Sequence, residues 1–481
     1  MQRLPNGFIL FNKYNVSRNK KIVKLKKQRR KNMKKLLSLL LVGAMSLAVL
    51  TGCGKGEEAP AADAPASDAP AAETGAENTS DEEVTLTFLH HMGEQGKQDG
   101  LVKLVEAFHE KYPNINVEIE FLSRDDFINQ YKQRVSADNA PDLINYRPFE
   151  TPELIEAGLI EELDASMFPE GIDQNCIKSL SIDGVIYGVP LDVGGYGFYY
   201  NINQLEAVGV SPESLNTRSG ILDACEKLKA AGYTPLASGY AEQWPENIII
   251  EGLTYTGILP NHPTLFTDLM SGEKSFSDYP EFLEIVDYGQ KLVGTYSVID
   301  DKAASQQASD QYAQFGRGDA AMMMQGTWAV SDIRIAQEAA GNTDEFGFTI
   351  YPWSDDVNSN YMPANADDSF MISKDSKHKE EALLFAGFCM TEEAGKIWTN
   401  ASGCISALSG VMPDDADPLM EYFTKTLADH AYFFEMNPGL AGQYYQDFDK
   451  VYIEGRVAGI SPEEVIENWQ AAYDNIRATG G

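Results

Sequence analysis

Four carboxylates in this chain stand where strand-like runs give way to loops. They are Glu94 in the Gly-rich run GEQGKQDG (93–100), Asp192 between two apolar runs, and the adjacent pair Asp367-Asp368. One carboxylate can accept from two vicinal hydroxyls, and two across a cleft could serve as the carboxyl pair of a glycosidase. Flat aromatic side chains accompany them: Tyr146 after Leu143-Ile144, Trp244 between a polar loop and Pro245, Trp328 after Gly326, and Trp353 in Tyr351-Pro352-Trp353. Each indole reads either as a core plug or as a wall on which a ligand stacks. Trp244 is poorly placed for a strand core. Trp328 sits at a helix start, where exposed amides can also donate.

Other chemistries find little support. GEQGKQDG lacks the closing Gly-Lys-Ser/Thr of a phosphate loop. His90 and His91 are adjacent, so on a strand they point to opposite faces and do not share one metal ion. No Ser-His-Asp or Cys-His set stands out, nothing fixes an acid–nucleophile pair, and neither an enzyme nor a cofactor is expected. Cys176, Cys225, Cys389 and Cys404 are expected as buried free thiols. Met322, Met323 and Met324 read as core filling.

The elements that must position these residues begin with Gly184–Asn203, GVIYGVPLDVGGYGFYYNIN. Two apolar runs, Val185–Leu191 and Tyr196–Ile202, flank Asp192 and Gly194-Gly195. A Gly pair allows the chain to change direction. The stretch therefore reads as a crossing between two lobes beside a cleft, or as an ordinary hairpin or βα turn. Ahead of it, Val84, Leu86 and Phe88 alternate as in a strand, and Leu101, Leu104, Val105 and Phe108 follow at helical spacing. A strand recurs at Ile115–Phe121. Ser123-x-x-Asp126 resembles a capping box that opens a helix to about Ala137, and Pro141–Ile144 begins a third strand. This β-α-β-α-β order predicts a parallel sheet with ligands beyond the strands' carboxyl ends, at His90–Glu94 and Asn145–Arg147. Further on, the pattern predicts a strand at Thr234–Gly239, a helix at Asn247–Gly257, a strand at Ala320–Met324 and helices at Ala329–Ala340, from Lys377, and after Ser461-Pro462.

Charge is divided unevenly. Residues 1–35 hold thirteen Lys and Arg and no acid, which leaves 25 basic against 72 acidic residues from Cys53 onward, a net −47. A body so acidic repels nucleic acid and anionic lipid. Met33 opens MKKLLSLLLVGAMSLAVLTGC, in which Leu36–Leu50 is uncharged and too short to span a bilayer comfortably. Leu50-Thr51-Gly52-Cys53 resembles a bacterial lipobox. That resemblance implies a signal peptide at 33–52 and a lipid on Cys53. Residues 1–32 then read as an upstream extension or a long basic n-region. Residues 53–83, rich in Ala, Pro and acid, read as a disordered tether.

The stretch SADNAPDLINYRPFETPELIEAGLIEELD, then GVIYGVPLDVGGYGFYYN, DAAMMMQGTWAV and FGFTIYPW, resembles in order and spacing the family 1 extracellular solute-binding proteins. These are the maltose-binding-protein-like receptors, which include lipoproteins of multiple-sugar ABC importers. The resemblance covers about 84–481. It implies an α/β, two-lobed periplasmic-binding-protein-like fold of type II with three crossings, near Leu191–Gly195, Asp319–Gln325 and Pro363–Ser369. Lobe 1 would be 84–191 plus 326–367, and lobe 2 would be 192–325 plus 368–481. It further implies a monomer, held by its lipid outside the bacterial cell membrane, that passes a carbohydrate to permease subunits of an ABC importer. A Trp like Trp244 stacks on a pyranose in such receptors, and Tyr444 or Tyr445 falls where the family often places another stacking aromatic. Relatives usually carry Thr-Trp where this chain has Asn216-Thr217-Arg218-Ser219. A sugar offers apolar C–H faces and a rim of hydroxyls. The expected site is therefore Tyr146, Trp244, Trp328, Trp353, Tyr444 and Tyr445 as walls, with Glu94, Asp192, Asp367 and Asp368 as hydrogen-bonding groups. A polyamine, peptide or metal ligand stays open, and a polyamine would need several carboxylates converging in the cleft.

Overall fold

The structure, a computed structural model, describes residues 82–297, 305–434 and 459–479 apart from Tyr240, Gln243 and Asp414. Residues 1–32, the leader at 33–52, Cys53, the tether to residue 81, and Tyr444 and Tyr445 lie outside the described residues. Among those described, no helix is long and apolar enough to cross a membrane.

The first part follows its hydrophobic periodicity. Strand β1 (Val84–His90), helix α1 (Gln95–Lys111), strand β2 (Ile115–Phe121), helix α2 (Arg124–Ser136) and strand β3 (Leu143–Ile144) alternate as expected. Both β2 and β3 lie parallel to β1. Ser123 occupies the N-cap of α2 but makes no side-chain capping bond there. The sheet is completed by β4 (Val189–Pro190) and, from far along the chain, β9 (Ser369–Ile372), in the order β2-β1-β3-β9-β4. Leu86, Phe88 and Phe370 bury one face of this sheet. On the other face, Leu89, Ile144 and Met371 pack with Phe127 and Tyr131 of α2.

The second sheet is built on β5 (Asp192–Asn201). Gly194 and Gly195 do not turn the chain: the strand runs straight through them, and neither has positive φ. Their lack of a side chain serves close approach instead. A Cβ at 194 would stand 2.5 Å from the Cβ of Asp367, and one at 195 would stand 2.5 Å from the Cε of Met362. Strand β6 (Met322–Gly326) pairs antiparallel with Tyr196–Tyr200, and β7 (Phe346–Thr349) with Phe198–Asn201. Strands β8 (Met362–Ala366) and β10 (Ile405–Ser406) pair with the first half of β5, and β11 (Ala431–Phe433) with β8. Met322 and Met324 point into one core and Met323 into the other. The stretch Thr234–Gly239 forms no strand and contributes only a bridge at Leu236.

Sheet membership corrects the expected division of the returning chain. Strand β6 lies along β5 for its whole length, so Asp319–Gln325 makes no crossing. Strands β7 and β8 also stay in the second sheet, whereas β9 enters the first. Helices α8 (Lys379–Cys389) and α9 (Glu392–Ser402) then pack on α1. The segments 326–367 and 368–402 thus lie on the opposite sides from those expected. The chain passes between the sheets at Leu191–Asp192, at Asp367–Asp368, and between α9 and β10. Of the remaining helices, α4 (Trp244–Gly257), α5 (Glu281–Lys291) and α11 (Pro462–Thr479) pack together beside the second sheet. Helix α3 (Arg218–Ala230) is capped by Thr217, which accepts from the amide of Gly220. Helix α6 (Ala308–Gly316) packs on α7 (Val330–Ala340). Helix α10 (Leu419–His430) lies against β7 and β8. Cys176, Cys225, Cys389 and Cys404 are buried free thiols.

Candidate functional site

A pocket opens where the two sheets meet, with about 410 Å³ of empty space that includes open solvent. The first-sheet side contributes Arg147, Phe149 and Glu150, from the loop after β3. The second-sheet side contributes Gly194 and Tyr196 of β5, Glu251 and Tyr255 of α4, Trp328, Pro363, Asn365 and Ala366 of β8, and Phe434, while Asp367 comes from the passage between them. Five of these residues are aromatic. Tyr196 meets Trp328 edge to face at 5.5 Å, and Tyr255 stacks on Phe434 at 4.2 Å. Trp328 lies over Gly326, where a Cβ would come within 2.2 Å of the indole.

The polar wall is an ion-pair network. Arg147 Nη2 donates to Glu150 Oε1 at 2.6 Å, and Arg124 Nη2 donates to the same oxygen at 2.6 Å. Burial alone would raise the Glu150 carboxyl, but the two guanidinium groups bring it down to about 2. His91 holds Arg124 from behind. Its Nδ1 lies 3.0 Å from the carbonyl of Asn145, so it carries the proton, and its Nε2 accepts from Arg124 at 3.0 Å. Burial keeps this imidazole neutral, well below its ordinary range, with Arg124 reinforcing the effect.

Lys97 anchors the other end. Its ammonium lies 2.9 Å from Asp367 Oδ2 and 2.5 Å from Asp368 Oδ2, and 5.5 Å from the centre of the Trp328 ring. Burial would lower Lys97, yet the two carboxylates hold it well above its usual value. Arg147 Nη1 reaches Asp367 Oδ1 at 3.4 Å. Asp192 accepts from the Asp368 amide at 2.7 Å and from Trp398 Nε1 at 2.8 Å. Asp192, Asp367 and Asp368 hold their oxygens within 4.8 Å of one another, a spacing that could suit a metal ion. The ammonium of Lys97 is the cation that already stands among them.

Of the expected site residues, Trp328 and Asp367 line the pocket. Trp244 is half-buried, with its ring 6.1 Å from Trp328, and is not among the lining residues. Glu94 accepts from the Tyr312 hydroxyl at 3.4 Å and is likewise outside the lining. Asp192 and Asp368 are buried and outside the lining, and the Asp368 amide donating to Asp192 joins two passages between the sheets. Two more lie outside the lining. Tyr146 packs in the core of the first sheet, against His91 at 4.9 Å and Phe127 at 5.2 Å. Trp353 lies against Gly257 and donates from Nε1 to the carbonyl of Ser359 at 2.9 Å. The sequence reading missed Arg147 itself, Phe149, Glu150, Glu251, Tyr255 and Phe434. Arg147 ends a strand and was within reach of the carboxyl-end rule; Glu251 and Tyr255 lie on a helix whose residues from Pro245 on are all buried, which leaves no polar face to read.

The profile described as "Bacterial extracellular solute-binding protein" matches residues 94–396, well over half of the chain. An uncharacterized ABC transporter extracellular-binding protein of Pyrococcus horikoshii is 25% identical over 411 residues, covering 82% of this chain and 85% of that protein. Among solved structures, a chitin oligosaccharide binding protein superposes with a TM-score of 0.69 at 21% identity, covering 82% of this chain and 99% of the other. The solute-binding protein RafE of Streptococcus pneumoniae, in complex with raffinose, superposes with a TM-score of 0.66 at 19% identity, covering 82% and 99%. At these identities the structural likeness is one of fold, the two-lobed α/β architecture.

Proposed function

Because this chain belongs to the bacterial extracellular solute-binding protein family, we propose that it captures a sugar or oligosaccharide between its two sheets and delivers it to the permease of an ABC importer. The observation that carries this reading is the composition of the pocket. Five aromatic side chains supply flat apolar walls, while Arg147, Glu150, Glu251, Asn365 and Asp367 supply hydrogen-bonding groups. A polyol needs both. The raffinose and chitin-oligosaccharide receptors of the same fold support the ligand class by analogy.

In this reading one lobe is the first sheet with 84–191 and 368–402, and the other is the second sheet with 192–367 and the chain beyond β10. A ligand that touches Arg147 on one side and Trp328 on the other stabilises the closed arrangement, by no more than its differential affinity for it. The protein is a monomer, held by a lipid on Cys53 at the outer face of the cell membrane. No catalytic step is assigned. The test is a thermal-shift screen of mono- and oligosaccharides, since a ligand at 100 times its dissociation constant adds ~2.7 kcal/mol. A shift with a glycan supports the reading, and the absence of any shift across a broad glycan panel contradicts it.

A further inference from the structure

Several polar side chains of the pocket wall are already committed to protein partners. Arg147 spends Nη2 on Glu150 and Nη1 on Asp367. Asp367 takes that second bond on Oδ1 and the ammonium of Lys97 on Oδ2. Asn365 accepts from the amide of Ala366 at 2.9 Å and donates to the carbonyl of Phe434 at 3.3 Å. These three side chains hold the wall together before any ligand arrives.

Glu150 differs from them. It closes the single helical turn Pro148–Glu150 and lines the pocket. Its Oε1 takes both guanidinium groups, from Arg124 and from Arg147, at 2.6 Å each. Its Oε2 is buried and has no hydrogen-bond partner among the described residues. The two guanidinium groups lower this carboxyl to about 2 against the effect of burial, so at neutral pH it is ionised and can only accept. A buried, ionised acceptor without a donor is costly to the fold. Here that cost falls on a residue of the pocket lining, where a ligand can supply the missing donor.

We propose that Glu150 Oε2 is the acceptor that selects the ligand, taking a hydrogen bond from one sugar hydroxyl while Oε1 stays on the two arginines. This inference rests on the sugar-binding reading above and names the residue that gives it specificity. Oε2 is covered in the present arrangement, so the hydroxyl is taken up while the lobes are apart and enclosed when they close. A bond to an ionised acceptor shielded from water is stronger than one between neutral groups. A site built to bond a hydroxyl also rejects the analogue that lacks it far more sharply than an apolar pocket does. Glu251, on the opposite wall, is the rival acceptor.

Calorimetry on the full-length protein in detergent tests the assignment. The probes are maltotriose, cellotriose, xylotriose, raffinose and triacetylchitotriose, followed by the monodeoxy analogues of whichever binds most tightly. In the unmodified protein, removal of one particular hydroxyl is expected to weaken binding at least tenfold. Glu150→Gln keeps the size of the side chain. The two arginines hold its amide oxygen, which turns the NH₂ to the place of Oε2 and sets a donor against a donor. The variant is expected to bind the parent glycan at least tenfold more weakly and to lose the discrimination at that one hydroxyl, while the penalties at the other hydroxyls stay as they were. Unchanged affinity, or an equal weakening toward every analogue, leaves Glu150 no selecting role and overturns the proposal. Discrimination that persists in Glu150→Gln and vanishes in Glu251→Gln overturns it in favour of the opposite wall. If Glu150→Gln fails to fold, a crystal structure of the unmodified protein with the parent glycan decides: a ligand hydroxyl within hydrogen-bonding distance of Oε2 supports the proposal, and an Oε2 that meets no ligand hydroxyl overturns it. All of these outcomes leave the sugar reading standing. No binding of any of the five glycans removes that reading and the proposal with it.

Discussion

Two residues with the same side chain fare differently here. Trp328 faces the pocket because Gly326 leaves room for its ring, while Trp353, half-buried, lies against Gly257 and donates to the carbonyl of Ser359. Residue type was legible in the sequence, but facing was not. The same holds for the acids: Asp367 lines the pocket and its neighbour Asp368 is buried outside the lining. Their ionisation makes a prediction. The Glu150 carboxyl is depressed to about 2 by Arg124 and Arg147, so it stabilises the fold at pH above its unfolded value and loses that contribution as pH falls toward 2. Burial raises Asp192 and Asp368, the former well above its usual range, so the fold binds their protons more readily than the unfolded chain does and gains stability as pH first falls. Urea melts from pH 8 downward are expected to show stability rising to a mildly acidic maximum and then dropping below about pH 4. A steady decline from pH 7 would contradict the assignment of these groups.

At the scale of elements, β5 organises the molecule, and its glycines decide what can approach it. Gly194-Gly195 was legible as a special point, but the reason differs from the one the sequence suggested. The pair admits Asp367 and Met362 against a straight strand and makes no turn. A Cβ at Gly326 would meet Trp328 at 2.2 Å, so Gly326→Ala must displace the indole. It is expected to weaken glycan binding and to cost about 1–3 kcal/mol of stability by overpacking. Unchanged affinity in that variant would take the Trp328 pose out of the account. Helix α1 places Lys97 against Asp367 and Asp368, with the lysine side chain only 6% exposed. Lys97→Met leaves these carboxylates without their ammonium and is expected to lower stability by about 3–5 kcal/mol in denaturant melts. A loss below 1 kcal/mol would show that the cluster needs no cation. The first β-α-β-α-β unit was readable because its periods are regular. The returning strands were not, because β7, β8 and β9 are short buried runs whose sheet is chosen by pairing and leaves no mark in periodicity.

At the scale of the whole molecule, three passages among the described residues join the two sheets beside the pocket, and Asp367 and Asp368 at one of them are tied to the pocket wall through Lys97 and Arg147. Ligand bound between the sheets therefore bears on the same network that links them. The proposed lipid on Cys53 makes a prediction of its own: Cys53→Ala is expected to release the protein from membranes into the soluble fraction. Persistent palmitate labelling of that variant would contradict lipid attachment at Cys53. The central claim is that a carbohydrate is held in the pocket against Trp328. Titration calorimetry of a glycan selected by thermal shift, on the unmodified protein and on Trp328→Ala, tests it most directly. The account predicts a loss of more than tenfold in affinity, about 1.4 kcal/mol or more, with the fold intact by circular dichroism. Full affinity retained in Trp328→Ala would contradict it.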